Sequence, residues 1–175
     1  MLPCDFPDPC QHTRGVLLAV LANPTPRPFT RTEQQIAVAA DVLGYHRVQI
    51  ANLFALASVS SREIRTLGTE EVGWQTARNS IEDALPQADG VLVAFGSIPT
   101  SGPSRTHLRT QLAWLSARLR DLSDTDVWQV GVARHPSRWH QYVSDVHART
   151  SGGDFVTRLT QVLQPVSPVD RTWTA

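Results

Sequence analysis

Apolar positions along this chain switch between unbroken runs and helical spacing, and the switches mark out the elements. Val16–Ala22 is a continuous apolar run, which suits a strand buried on both faces of a parallel sheet. It stops at Asn23-Pro24, because proline cannot donate to a ladder. Asn23–Phe29 holds three prolines and predicts a loop. From Thr32 the apolar positions Ile36, Ala39, Ala40 and Leu43 recur at helical spacing, with Gly44 as the stop. Arg47–Leu53 alternates apolar and polar residues like a second strand. Ser60–Glu63 reads as a capping box opening a short helix that ends at Gly68. Residues 70–85 predict another helix, with Val72, Thr76, Ile81 and Leu85 near one side. Gly90–Phe95 is the third strand, ended by Gly96, and Pro99–Pro103 is a loop. The stripe Leu108, Leu112, Leu115, Leu119 and Leu122 predicts a helix over 104–122. Val127–Ala133 is the fourth strand and runs into Arg134-His135-Pro136-Ser137. A last helix covers about 154–163.

Strands that alternate with helices argue for βαβ units. The expected fold is a three-layer α/β/α domain around a central, mostly parallel four-stranded sheet. It occupies residues 14–165, with an irregular leader over 1–13 and a flexible tail over 166–175. In such sheets ligands bind outside the carboxyl ends of the strands. All four predicted strands end in polar or glycine-containing sequence: Asn23-Pro24-Thr25, Asn52-Leu53, Phe95-Gly96-Ser97 and His135-Pro136-Ser137. Parallel strands would bring these to one edge.

Composition narrows the classes. The chain has 175 residues with 16 basic and 16 acidic side chains, so its formal net charge is zero. That excludes a strongly basic nucleic-acid coat. Every basic residue is Arg, so a Schiff-base lysine mechanism is impossible. A hydrophobic fraction of 41% against 18% charged residues is globular. No apolar run approaches the roughly 18–20 residues of a membrane helix. The N-terminus has prolines at 3, 7 and 9 and no basic leader, which is unlike a signal peptide. The expectation is a cytoplasmic protein with no membrane partner. Cys4, Cys10 and His12 match no zinc spacing, so two ordinary thiols are expected and no metal.

The chain lacks dinucleotide, P-loop, nucleophile-elbow and zincin motifs. No paired carboxylates stand at the predicted strand ends, which weakens glycosidase-type acid/base chemistry. Three polar residues at strand ends remain. Asn23 can orient a water or a substrate group, or cap its own turn. Asn52 ends an apolar strand, where an unpaired amide costs roughly 1–3 kcal/mol, so it must bond to backbone or ligand. An amide can read the paired donor and acceptor of a base edge. His135, with its turn fixed by Pro136, can donate to a developing oxyanion, or can be a surface His in a basic segment. His107, His140 and His147 read as solvated. Arg105, Arg109, Arg118, Arg120, Arg134, Arg138 and Arg149 put much of the positive charge after residue 100. Arg134 and Arg138 flank the His loop and would form either a phosphate-facing rim or a solvated face balanced by Asp121, Asp124 and Asp126. The Trp residues at 74, 114, 128, 139 and 173 could mark an interface if exposed.

Taken in order, several pieces resemble the bacterial and phage family called domain of unknown function 1643. They are Val20-Leu-Ala-Asn-Pro-Thr25, Leu43-Gly-Tyr45, Val48-Gln-Ile-Ala-Asn-Leu-Phe-Ala55, Gly73, Val91-Leu-Val-Ala-Phe-Gly96 and His135-Pro136. They span about residues 16–140. That family usually carries an acidic pair after its first loop; here Phe29-Thr-Arg-Thr32 has no carboxylate. More remotely, the same order is similar to the uracil-DNA glycosylase superfamily. This resemblance implies a water-positioning role for Asn23, base reading by Asn52, and stabilisation of the departing base anion by His135. It places Pro24, Thr25, Phe95, Gly96 and Ser137 around the substrate, with Phe29 stacking on a base. Thr25 stands where that motif has Gly, and Arg138 where it has a second Pro.

The expected activity is hydrolysis of an N-glycosidic bond by water, with no cofactor, on a nucleobase-containing ligand. Arg134 and Arg138 would contact phosphates. DNA is one possible substrate, against which net neutrality counts. The alternatives are a non-catalytic nucleotide- or nucleobase-binding module and a hydrolase of a free nucleoside-like metabolite.

Overall fold

Leu17, Ala19 and Leu21 belong to one buried apolar cluster and Leu18, Val20 and Ala22 to another. This strand therefore alternates between two covered faces, as an unbroken apolar run requires. The computed structural model describes residues 14–143 and 152–175. Cys4, Cys10, His12, His147 and Arg149 lie outside those residues, as does the whole of the expected leader.

The elements are β1 (Arg14–Leu21), α1 (Arg31–Leu43), β2 (Tyr45–Asn52), α2 (Ile64–Leu67), α3 (Val72–Ala84), β3 (Gly90–Val93), α4 (Gly102–Asp121), β4 (Asp126–Val130), α5 (His140–Val143), α6 (Phe155–Val162) and β5 (Leu163–Pro165). The sheet order is β2-β1-β3-β4-β5. The first four strands are mutually parallel, and β5 runs antiparallel to β4. Helices α3 and α4 cover one face, and α1 and α6 the other. Among the described residues, no helix is long and apolar enough to cross a membrane.

The expected three-layer α/β architecture is present, with one strand more than the four expected. The fifth, Leu163–Pro165, comes from the end of the expected last helix and the residues just after it, and the expected flexible tail that follows packs onto the fold. Val166 and Trp173 are buried instead, and Arg171 caps α4 from a distance. Its guanidinium donates to Leu119 O at 2.5 Å and Leu122 O at 2.7 Å, and to Thr125 O at 2.7 Å. Carbonyls at the end of a helix have no partner within it, so a buried cation there satisfies them.

Two local expectations change as well. The buried side of α3 is Gly73, Trp74, Ala77, Ile81 and Ala84, whereas Val72 is 67% exposed and Thr76 faces solvent. The contact is made by small residues: a Cβ on Gly73 would lie 2.5 Å from the Phe54 ring. The capping box sits at Thr30–Glu33, opening α1, where both reciprocal bonds form. At Ser60 the hydroxyl accepts from Arg62 N, not from Glu63 N. Gly44 ends α1 in the left-handed conformation, as its position after the apolar stripe implies.

The chain leaves β1 to one side for β2 and then crosses to the other side for β3. The β1–β3 boundary is therefore the point where the strand order reverses, the usual ligand crevice of an open parallel sheet.

Candidate functional site

The loop after β1 is fastened to the loop after β2 by a buried serine. Asn23 Nδ2 donates to Ser58 Oγ at 2.8 Å, to Ser58 O at 3.2 Å and to Pro24 O at 3.2 Å. Ser58 N donates to Pro24 O at 3.1 Å, and Ser58 Oγ donates to Ser60 O. Both donor positions of the Asn23 amide are thus spent on the protein. Its Oδ1 has no hydrogen-bond partner among the described residues and remains an acceptor.

The His135 loop is fastened from the other side. Trp139 is fully buried, and its Nε1 donates to Arg134 O at 2.8 Å. Gly96, at φ 67°, donates its N–H to Ala133 O at 2.7 Å. A Cβ on Gly96 would lie 2.8 Å from His135 Cβ, so glycine is required for the loop to fold down over the end of β3. This places His135 beyond β3 and Asn52 at the end of β2, two strands away. At about 4.8 Å per strand, the two positions are about 10 Å apart across the sheet, a width a planar ring with its sugar can bridge.

The imidazole is half-buried and its tautomer follows from its neighbours. Ser137 N donates to His135 Nδ1 at 3.3 Å, and Ser137 Oγ lies 2.9 Å from the same nitrogen. A backbone N–H can only donate, so Nδ1 is the acceptor and Nε2 carries the proton. Burial first, and the Arg138 charge second, push the imidazole below its ordinary 6.5. At neutral pH His135 is therefore an uncharged donor through Nε2.

Asn52 is the anomaly. Its Oδ1 is shut off from solvent and has no partner among the described residues, and its Nδ2 makes no hydrogen bond there either. Whichever way the amide is turned, one buried end stays unsatisfied. The backbone does not absorb it, and a buried polar group left without a partner calls for an explanation.

These groups line one cleft of about 870 Å³. Asn23, Pro24, Thr25, Asn52, Phe95, Gly96, Arg134, His135, Ser137 and Arg138 all border it. Of the residues with an orphaned buried polar atom among those described, Asn52 is the one that borders the cleft. Phe95 contributes mostly to the core, edge-on to the Trp173 ring at 6.3 Å between centroids. Trp173 Nε1 in turn donates to Gln129 Oε1, which also accepts from Ala133 N, so the C-terminal segment braces the His loop.

Phe29 stands apart from its expected partners. It does not border the cleft; it is 89% exposed, at φ 54°. Pro28 on one side and the Thr30 cap on the other leave the ring turned outward. Arg134 donates to Tyr142 Oη at 3.2 and 3.3 Å, so its charge is partly occupied, whereas Arg138 is exposed with no side-chain partner among the described residues. Trp74, Trp139 and Trp173 are core residues, which removes them as interface markers, and His107 is half-buried and stacks on Trp74.

Ser58, Arg62 and Glu33 are among the bordering residues without a sequence assignment. Ser58 sits in an Ala/Ser/Val stretch with no pattern. Arg62 follows it on the same wall. Glu33 carries the one carboxylate bordering the cleft; its signal was the Thr30-x-x-Glu33 cap, which spends Oε2 on Thr30 N at 2.6 Å.

The chain matches the family described as Protein of unknown function (DUF1643) over residues 11–137. It belongs to that family. The match takes in β1 to β4 and the loops carrying Asn23, Asn52, Phe95 and His135; the α5–β5 segment that braces them lies beyond it. No curated protein and no solved structure matches the chain.

Proposed function

We propose that the cleft binds a nucleobase-containing ligand and hydrolyses its N-glycosidic bond with water as the nucleophile. The observation that carries this reading is the unsatisfied Asn52 amide in a cleft shared with Asn23 and His135. An amide with no protein partner at either end is free to turn into the cleft, where its donor and acceptor match a base edge, the pairing by which Asn reads adenine in DNA grooves. The order of the motifs and its likeness to the uracil-DNA glycosylase superfamily support the same assignment.

Roles follow from the atoms left over. The Asn23 Oδ1 acceptor holds the attacking water. The bond between C1′ and the base nitrogen breaks with its electron pair moving into the base. Water oxygen bonds to C1′, and the proton it sheds ends on the base nitrogen. His135 Nε2–H donates to the base oxygen that gains charge. The absence of lysine leaves no side-chain amine to form a covalent sugar adduct, so no lysine-based lyase step accompanies hydrolysis.

Asn52→Leu separates function from folding. Leucine has a similar volume and no polar atom to leave stranded, so thermal stability stays level or rises by about 1–2 kcal/mol. Base binding, read by calorimetric titration, is lost. A variant that unfolds would show that Asn52 is satisfied in the free protein and would remove the basis of the proposal.

Hydrolysis itself is read as free base released from nucleosides, nucleotides and DNAs carrying each base. Wild-type protein releases base from at least one of them. Asn23→Ala stops release while sparing ligand affinity. Binding without release, in an assay where a control glycosylase is active, would leave a non-catalytic module. That second reading has its own support: Asn23 already works as a clamp on Ser58.

A further inference from the structure

Two guanidinium groups that border the cleft, Arg62 and Arg138, have no side-chain partner among the described residues. Both are exposed. They come from loops after β2 and β4, strands on either side of the central β1–β3 pair. Arg134, the third cation at the cleft, is engaged by Tyr142, and the one bordering carboxylate, Glu33, caps α1 through Thr30. The cleft is therefore cationic in a protein of zero formal net charge.

The wall carrying Arg62 is built differently from the His135 wall. Ser58, Val59, Ser60, Ser61 and Arg62 border the cleft in unbroken succession. Ser58 is used up by Asn23 and Ser60. Ser61 is half-buried and its hydroxyl makes no bond among the described residues, and the Ser60 hydroxyl accepts from Arg62 N and keeps its own proton to donate. Two free hydroxyl donors next to a free guanidinium form a receptor for a multiply charged oxyanion. This wall follows Asn52 directly in the chain, at the same end of β2.

We propose that the ligand is a nucleoside monophosphate, with its phosphate bound by Arg62 and the Ser60 and Ser61 hydroxyls. The inference rests on the base-binding reading of Asn52; an anion attached to a base through a sugar is a phosphate ester. Arg138 adds attraction from across the cleft without being a required contact. A free nucleotide fits better than a polymer. DNA interfaces bury 1,000–2,500 Å² of strongly positive surface. Here the segment after Arg62 carries Glu63, Glu70 and Glu71 against Arg65, all exposed, so a phosphate chain leaving the cleft on that side meets acid. The cleft volume also lies within the 300–1,000 Å³ of small-ligand sites.

The test is titration calorimetry with the five common nucleosides, their 5′-monophosphates and single-stranded oligonucleotides, at two salt concentrations. The expected result is a monophosphate that binds roughly 10- to 100-fold more tightly than its nucleoside, the range of one hydrogen-bonded charge. Arg62→Gln removes that preference and leaves nucleoside affinity unchanged. Arg138→Gln lowers monophosphate affinity by only about two- to threefold, an effect that salt screens. Equal binding of nucleoside and monophosphate would overturn the phosphate site while leaving the base site standing. Loss of the preference in Arg138→Gln but not Arg62→Gln would also overturn it. So would oligonucleotides that bind more tightly than any monophosphate and with a steep salt dependence. Failure of every base-containing probe would overturn the base site and this inference together.

Discussion

His135→Ala lowers the rate of base release by about 100- to 1,000-fold, with little change in ligand affinity. A single preorganised donor to a developing oxyanion contributes about 2.7–4 kcal/mol to the transition state, and less to the ground state, where the base oxygen carries little charge. The structure prepares that donor in three ways. Ser137 N fixes the tautomer, Trp139 anchors the loop, and Gly96 allows the imidazole to lie over the end of β3. His135→Gln keeps a donor but loses the Nδ1 acceptor, and recovers part of the rate. The pH profile carries the same information. Because burial and Arg138 lower the imidazole below 6.5, the ring stays neutral at neutral and alkaline pH, and the rate is flat there. Activity falls only at acid pH, where protonation of Nδ1 displaces Ser137 N. Stability follows the same sign. The neutral ring is favoured in the folded state, so its contribution is complete above 6.5 and is lost as pH falls through the lowered value. Rate measurements from pH 4.5 to 9 on wild type and His135→Ala check both statements; a limb that persists unchanged in the variant would assign it to another group.

Arg171→Ala destabilises the fold by about 3–5 kcal/mol, read as a shift in urea unfolding. The side chain is buried and holds three carbonyls at 2.5–2.7 Å, two of them near the end of α4. Alanine strands those acceptors, each at about 1–3 kcal/mol before relaxation, and leaves a void under the segment that carries Trp173. Arg171→Lys restores the charge but not the fork that reaches separate carbonyls, and recovers less than half of the loss. The same variant loosens the His loop, because Trp173 and Ala133 share Gln129. A variant as stable as wild type would show that residues 166–173 are peripheral to the fold.

Much of this architecture is legible in the sequence where burial is two-sided or the period is long. Val16–Leu21, Val91–Val93 and the Leu108–Leu119 stripe lie where their patterns put them. The failures share a cause. The inner face of α3 is drawn by Gly73, Ala77 and Ala84, small residues that score weakly as apolar but allow Phe54 and the sheet to approach. The C-terminal segment looks loose from its prolines, yet Arg171 and Trp173 find partners 44–52 positions earlier. At the site, strand-end position puts Asn23, Asn52 and His135 on the border of one cleft, because parallel strands share one carboxyl edge. Ser58 is not legible in the sequence because its bonds to Asn23 span 35 positions, and the direction of Phe29 is not legible because proline spacing does not fix which way a loop ring turns.

The central claim is that Asn23, Asn52 and His135 act on one base, which Asn52 reads. Titration of ¹⁵N-labelled protein with the best-binding nucleoside, following the side-chain amides of Asn23 and Asn52 and the His135 ring, tests it most directly. The account predicts that all three move along one saturation curve, with the Asn52 amide shifting most. Saturable binding that leaves Asn52 unmoved, or that moves only residues outside this cleft, would contradict it.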